Sequence, residues 1–195
     1  GRAWSVLRGG GWCARAAQGV RRCLLQDLCD RRMVGMAGRP LWLGYCPDAI
    51  PEPQRWAQVW RSAARDAGHP DLYLALVQSV NQTTMDPAAL GYDAAVEFPP
   101  HLTRSQEISP HPDSVRNGFQ GDVLDYVSCA QNALARPHPG YRLFRGVMTG
   151  WDNTARVPDI ARCFVTAEPA NEEPWLAAAP AGTRWSSACI LFHSS

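Results

Sequence analysis

Residues 72–77 read Leu-Tyr-Leu-Ala-Leu-Val, an unbroken apolar run that is typical of a buried strand. The segment before it, Gln54–Ala67, carries apolar residues at helical spacing, and Gly68 ends the predicted helix. A helix next to a strand that is apolar on both faces indicates a parallel sheet covered by helices. This pattern sets the expected fold class as α/β.

Four more strands and two more helices are predicted outward from this run. The strands are Leu41–Cys46, Ala94–Phe98, Tyr141–Met148 and Ala188–Phe192, the helices are Asp122–Leu134 and Asn171–Ala179, the turns are Gly38–Pro40 and Pro87–Leu90, and the long loops are 99–118 and 149–163. Right-handed crossovers place the C-terminal ends of such strands at one end of the sheet. A partial (β/α)8 barrel and an open doubly wound sheet both fit this order.

The composition excludes several classes of protein. The 195 residues are enough for one sizeable core, and a net charge of +1 indicates neither a nucleic-acid binder nor a membrane-surface protein. No apolar run approaches the ~20 residues that span a bilayer, so we expect no transmembrane segment and a cytoplasmic location. The seven cysteines include no CxxC pair, which favours free thiols in a reducing compartment. We expect no metal and no cofactor.

Two polar, aromatic-rich segments follow apolar runs of strand type. The first, residues 91–101, reads Gly-Tyr-Asp-Ala-Ala-Val-Glu-Phe-Pro-Pro-His; the second, residues 145–156, reads Arg-Gly-Val-Met-Thr-Gly-Trp-Asp-Asn-Thr-Ala-Arg. Charged and aromatic groups just past the ends of strands are typical of a pocket rather than of packing. The pocket is therefore predicted at the C-terminal ends of the third and fourth strands.

These segments resemble the WbsX-like glycosyltransferase family, which belongs with the glycoside hydrolase family 99-like domains. The likeness has three blocks, at residues 38–45, 91–101 and 144–156, and covers roughly residues 31–177. It implies a (β/α)8 TIM barrel and a carbohydrate or nucleotide-sugar substrate. It also implies glycosyl transfer or hydrolysis in bacterial surface-polysaccharide biosynthesis.

The chain departs from this family pattern at both ends. A complete barrel takes about 250 residues, and about five strands are visible here, so we expect an incomplete barrel over residues 31–195. Residues 1–30 form an atypical basic segment. Its stretch 12–28 is either a basic amphipathic helix that contacts a membrane or serves as a targeting peptide, or a helix packed on a neighbour or a poorly specified tail. The tail at 180–195 diverges and lacks the family's Trp-Asn-Glu-Trp motif. Both ends are consistent with a different or shifted reading frame.

Glu97 and Asp152 are the candidate catalytic carboxylates. Glu97 ends the third strand and Asp152 follows the fourth, so their tips are candidates for the spacing of roughly 5–10 Å that paired catalytic acids need. The alternatives are a core carboxylate bonded to backbone or arginine for Glu97, and a turn-forming Asx residue for Asp152. Arg145, inside a strand, is expected to pair with a buried acid.

Six further side chains are predicted to bind substrate. Trp151 suits a pyranose face, Asn153 suits vicinal hydroxyls, and Arg156 suits an anionic group such as a phosphate or a uronate. The other three candidates are His101, Tyr45 and Gln78. Arg156 has the alternative of pairing with Asp152 or Asp159.

Several functional interpretations remain open at this stage. The chain is an active enzyme, a sugar-binding remnant that has lost turnover, or a gene fragment that folds poorly. A nucleotide-handling α/β protein is a further alternative, disfavoured because no glycine-rich phosphate loop follows any strand. The sequence leaves the oligomeric state open.

Overall fold

The computed structural model describes residues 28, 30, 33–45, 52–79, 85–101, 103–108, 118–181 and 189–192. Its elements, in chain order, are β1 Gly35–Met36, β2 Arg39–Tyr45, α1 Pro53–Asp66, β3 Tyr73–Gln78, a 3-10 turn Pro87–Leu90, β4 Ala94–Glu97, β5 Asp122–Asp125, α2 Tyr126–Leu134, β6 Leu143–Met148, β7 Arg162–Val165, α3 Pro169–Ala181 and β8 Cys189–Phe192. Every strand predicted from an apolar run is present, and no end is shifted by more than two residues.

Hydrogen bonding places six strands in the order β1-β2-β3-β4-β6-β8, and β5 pairs with β7 in a separate ladder. The pairs β2–β3, β5–β7 and β6–β8 are parallel, whereas β1 and β2 run antiparallel. A mostly parallel sheet that alternates with helices along the chain confirms the α/β class.

The hairpin of β1 and β2 corrects the turn expected at Gly38–Pro40. Gly35 pairs with Pro40 and Met36 with Arg39, so Arg39 and Pro40 already belong to β2. The loop consists of Ala37 and Gly38, whose φ angles of 52° and 73° are both positive. Two such residues form the hairpin turn whose twist matches the flanking strands. Pro40 is tolerated because it lies close to the start of its strand.

The described residues form two compact units, one running up to Val77 with 85–95 and the other comprising Gln78–Ser79 with 96 onward. Helix α1 supplies much of the core of the first unit, because Trp56, Trp60 and three alanines lie on its buried face. The core also contains Leu28, Leu72, Leu74, Leu76 and Tyr92. The Trp56 and Trp60 ring centroids are 5.5 Å apart, so these tryptophans pack the core.

Asp93, just before β4, is the centre of an ion-pair network in the first unit. Its carboxylate accepts hydrogen bonds from Arg39 at 3.0 Å, from Arg61 at 2.7 Å and from the Leu74 N–H at 2.8 Å. Arg61 also donates to Asp71 at 2.8 Å. Arg39, Asp71 and Asp93 lie at the N-terminal ends of strands β2, β3 and β4, where a barrel uses side chains for stability rather than for chemistry.

We predict that Asp93→Asn lowers the free energy of unfolding by about 1–3 kcal/mol at neutral pH, because two arginines lose a charged acceptor. Burial raises the pKa of Asp93, but the hydrogen bonds from Leu74, Arg61 and Arg39 outweigh it and hold the pKa below 3.8. The ionised Asp93 carboxylate therefore contributes its full stabilisation at pH values above 3.8. This contribution is lost as the pH falls through the lowered pKa of the folded state. Urea unfolding at several pH values measures both effects.

Asp86→Asn is the matched control for that experiment. Asp86 caps the 3-10 turn by accepting from the Ala88 N–H at 2.9 Å, and asparagine caps nearly as well. The control should unfold like the wild type across the pH range. Equal stability of the Asp93→Asn and Asp86→Asn variants would contradict the structural role of Asp93.

The core of the second unit lies between β6 and helices α2 and α3. Tyr126, Cys129, Val147 and Trp175 are among its buried residues. The Tyr126 hydroxyl donates to the Met148 carbonyl at 2.6 Å, and its ring lies 5.6 Å from that of Trp175. Burial raises the pKa of Tyr126, so this hydroxyl stays protonated and ties α2 to the end of β6.

The helix expected over Asp122–Leu134 is wrong in its first turn. Asp122–Asp125 is strand β5, which pairs in parallel with β7, and the first two residues of β7, Arg162 and Cys163, end the segment expected to be a loop. The helix begins only at Tyr126, because the Asp125 side chain accepts from the Ser128 N–H at 2.7 Å and so caps it. The two-strand ladder holds the loop after β6 against this part of the chain.

The amphipathic helix considered at residues 12–28 lies outside the described residues, apart from Leu28. The same is true of most of the tail at 180–195. Among the helices that are described, none combines the length and the apolar character that a membrane span requires.

Candidate functional site

Three aromatic rings meet just past the ends of β4 and β6, within the second unit. The chain leaves β4 in a four-residue turn in which the His101 N–H donates to the Phe98 carbonyl at 3.1 Å and the Pro99–Pro100 peptide is cis. The Phe98 and His101 centroids are 5.3 Å apart, and Trp151 lies 6.3 Å from Phe98 and 6.0 Å from His101, edge-on to both. We call Phe98, His101 and Trp151 the aromatic cluster.

Trp151 is held by the loop that begins after β6. Its carbonyl accepts from the Phe164 N–H at 2.9 Å, which attaches the loop to β7. The indole is half-buried and packs against the core of the second unit. A partly exposed tryptophan that is anchored on one side presents a flat apolar surface at low entropic cost. The sequence prediction that Trp151 lies at the site is consistent with this position.

Asp152 and Asn153 shape the same loop. The Asp152 carboxylate accepts from the Thr154 N–H at 2.8 Å, which is an Asx turn, and the Asn153 amide oxygen accepts from the Arg162 N–H at 2.7 Å. The hydrogen bonds from Thr154 lower the pKa of Asp152, so it is ionised at neutral pH. Both side chains therefore have structural contacts next to the aromatic cluster.

Glu97 is buried and fully engaged by cations. Its Oε1 accepts from Arg145 at 2.8 Å and from Arg136 at 3.0 Å, and its Oε2 accepts from the Gly146 N–H at 3.2 Å. Arg145 also donates to the carbonyl of Arg136, at the end of α2, at 2.9 Å. The carboxylate thus lies on the side of the strand that faces this helix end, with the contacts of the alternative, structural interpretation. The expected pairing of Arg145 with a buried acid is confirmed.

His101 sits in a positively charged environment. Burial lowers its pKa below 6.5, and the charges of Arg162 and Arg156 lower it further. The imidazole is therefore neutral at pH 7, with one nitrogen able to donate a hydrogen bond and the other able to accept one. A neutral ring is also the form that stacks on an aromatic neighbour without the cost of desolvating a charge.

Arg156 lies further along the same loop, five residues after Trp151. Its N–H donates to the Asn153 carbonyl at 3.0 Å, and its side chain is exposed. Neither of the acids considered as its partners, Asp152 and Asp159, forms an ion pair with it among the described residues.

Gln78 and Tyr45 were the remaining candidates. Gln78, at the end of β3, is fully buried; its Nε2 donates to the Tyr141 hydroxyl at 2.9 Å, and its Oε1 has no partner among the described residues. Tyr45 ends β2 in the first unit and is 37% exposed. The structure therefore groups His101, Trp151, Asp152, Asn153 and Arg156 in one region, and gives Gln78 a separate buried contact.

Sequence reasoning missed Phe98, Arg136 and Arg162 as members of this region. The apolar pattern places Phe98 in the third predicted strand, although its position just before two prolines signals a turn. Arg136 follows the end of α2 and Arg162 begins β7, so their contacts depend on long-range packing. In the part of the chain that is described, no three acidic, histidine or cysteine side chains are grouped as metal ligands.

Comparison with known proteins identifies the family to which this chain belongs. The sequence model described as Glycosyltransferase WbsX matches residues 12–192 of this chain. The chain belongs to the WbsX glycosyltransferase family. The match confirms the resemblance drawn from residues 38–45, 91–101 and 144–156, and it supports a carbohydrate-active protein.

Two curated relatives and one solved structure are similar to this WbsX-family chain. The relatives, from two strains of Xanthomonas campestris pv. campestris, are each named Uncharacterized protein WxcX; they are 40% and 39% identical over 139 residues, which is 71% of this chain. The chain spans 20% of the length of these relatives.

The solved structure is a glycoside hydrolase-like protein with a TM-score of 0.50 and 13% identity, over 91% of this chain and 50% of that one. At this identity the likeness concerns the fold alone. It confirms the expected α/β arrangement as an incomplete TIM-barrel-like fold, because nearly all of this chain corresponds to half of the larger one.

Proposed function

We propose that this chain binds a carbohydrate on the aromatic cluster and forms part of a WbsX-type protein that transfers or hydrolyses a glycosyl unit. The observation that carries the proposal is the meeting of Phe98, His101 and Trp151, with centroids 5.3 to 6.3 Å apart, just past two strands of the sheet. This end of the strands is where (β/α)8 proteins bind their substrates. Aromatic faces match the apolar C–H faces of sugars.

Polar groups around the cluster suit the hydroxyls of a sugar. The neutral His101 ring can both donate and accept a hydrogen bond. The Asn153 oxygen is used by the Arg162 N–H at 2.7 Å, which directs its amide NH2 away as a donor. The ionised Asp152 is an acceptor on the same loop. Together these groups provide the donors and acceptors that vicinal hydroxyls require.

The catalytic assignment of Glu97 and Asp152 stays a prediction. Asp152, exposed and ionised, has the properties of a base, a nucleophile or a group that stabilises a positively charged transition state. Glu97, bonded to Arg136 and Arg145, is better placed to hold the strand from which the turn to His101 begins. The substrate-binding roles predicted for Tyr45 and Gln78 stay predictions as well.

The biological role that we propose is surface-polysaccharide assembly in the bacterial cytoplasm. The family name and the substrate class that it implies support this role. An inactive, sugar-binding remnant is the alternative, and turnover by the isolated chain distinguishes the two. Because the chain spans 20% of its curated relatives, the activity of the whole protein is part of the proposal.

Trp151→Ala should weaken sugar binding about tenfold, because the largest apolar surface of the cluster is removed. Trp151→Phe is the matched control and should keep most of the affinity, since it keeps an aromatic face. Calorimetry with a panel of neutral hexoses and uronates measures both variants, at a temperature where circular dichroism shows each to be folded. Unchanged affinity in the alanine variant would overturn the proposed site.

Asp152→Asn separates an enzyme from a binding protein. Asparagine keeps an oxygen that accepts from the Thr154 N–H, so the loop should keep its conformation. Loss of turnover with unchanged sugar affinity would support catalysis by Asp152. Loss of affinity alone would support binding, and unchanged turnover and affinity would remove Asp152 from the site.

A further inference from the structure

The loop that carries Trp151 contains Arg156, and strand β7, which follows this loop, begins with Arg162. Arg162 is neutralised by Asp122, whose carboxylate accepts from its Nε at 3.1 Å and from its Nη2 at 2.9 Å. Arg156 is exposed and, within the described residues, has no acidic partner. The backbone at Arg156 is nevertheless held in place, because the Arg156 and Val157 N–H groups both donate to the Asn153 carbonyl, at 3.0 and 3.1 Å.

We infer that the sugar bound at the aromatic cluster carries an anionic substituent, a carboxylate or a phosphate, and that Arg156 binds it. The inference rests on the proposed sugar site and narrows its substrate class. The guanidinium has five donors in a planar fork that matches the oxygens of either anion. A neutral hexose offers no group that uses this fork fully.

The charges around the cluster support this assignment. The fields of Arg156 and Arg162 both reach His101, which places positive potential next to the rings. Asp122 offsets Arg162, and the Asp152 carboxylate is directed to the Thr154 N–H by its 2.8 Å hydrogen bond. Arg156 therefore remains as the cation of this loop that a ligand can neutralise. An anionic substituent would gain a charge-assisted contact with this arginine that a neutral hydroxyl cannot make.

The experiment compares matched pairs of ligands on the 195-residue chain and its variants. Glucuronate, galacturonate and mannuronate are each compared with the corresponding neutral hexose, and the three hexose 1-phosphates form a third set. Calorimetry at low and high salt measures the affinities. Arg156→Gln should weaken binding of the preferred anionic sugar about tenfold and change the neutral hexose by less than about twofold. Whether uronates or phosphates show the loss identifies the source of the anion.

Arg55→Gln is the control for loss of one exposed positive charge. Arg55, on helix α1 in the first unit, pairs with Glu52 at 3.1 Å, and its removal should leave both affinities unchanged. Equal affinity of the wild type for neutral and anionic sugars, or an equal loss of both in Arg156→Gln, overturns the inference. In those cases the proposed site itself still stands if Trp151→Ala weakens neutral-hexose binding. Absence of binding by every sugar of the panel overturns both.

Discussion

Gly146→Ala is expected to lower the free energy of unfolding by about 3 kcal/mol or more, which is a large part of the stability of a typical domain. A Cβ at position 146 would lie 2.5 Å from the Glu97 carbonyl oxygen and 2.6 Å from Cδ of Pro99. Both neighbours belong to backbone or to a proline ring, so neither can rotate away. The end of β4 would have to move away from β6, and the aromatic cluster with it.

Gly140→Ala is the matched control for this prediction. No atom lies within 4 Å of a Cβ built at Gly140, which precedes β6 in the same unit. Alanine there should leave stability unchanged or raise it by a few tenths of a kcal/mol. Thermal and urea unfolding of both variants, followed by circular dichroism, gives the comparison. A Gly146→Ala protein as stable as Gly140→Ala would show that β4 and β6 do not approach as closely as described.

The strands were predictable because burial on both faces leaves a signature within a few residues. Residues 72–77 and 143–148 contain almost no polar side chains that must face water, so the period of the pattern and its length suffice. The same reasoning predicts the candidate site, since Trp151 and His101 lie just past such runs. Local sequence identifies where a strand ends and where polar groups begin.

Strand β5 could not be predicted in the same way. Its four residues, Asp122–Asp125, carry two carboxylates and run into a helix, so the segment fits a helical pattern until the Asp125 cap is known. Their pairing partner is Arg162–Val165, which is remote in sequence and has an apolar run of only three residues. Pairing between two short, half-exposed strands depends on tertiary packing, which overrides local propensity.

The role of Glu97 likewise could not be predicted from local sequence. Its position at a strand end is shared by catalytic and by structural carboxylates, and only its partners separate the two. Arg145 was visible as a cation inside a strand, but Arg136 follows the end of a helix and gave no signal. The sequence predicts a charged group at this place. The 2.8 Å contact with Arg145 depends on β4 lying beside β6, and the 3.0 Å contact with Arg136 depends on how α2 packs on the sheet.

Arg145→Met is expected to destabilise the protein by about 3–5 kcal/mol, because it leaves the Glu97 carboxylate buried without its closest cation. Arg145 is 5% exposed and Glu97 4%, so water cannot replace the lost contact. Arg136 still reaches Glu97 at 3.0 Å, but it is partly exposed and cannot compensate fully. Arg162→Met is the control, since its pair with Asp122 is 47% exposed on each side and should contribute less than about 1 kcal/mol.

A second substitution decides whether Glu97 acts through this ion pair. Glu97→Gln in the Arg145→Met background removes the stranded charge and should restore part of the lost stability, so the two changes are not additive. Glu97→Gln alone should cost stability, because it leaves two cations facing a neutral amide. Should the folded Glu97→Gln protein keep its stability and its sugar affinity but lose turnover, Glu97 is a catalytic residue instead. The structural role requires that affinity and stability decline together, because the strand end bearing Glu97 also leads into the turn that positions His101.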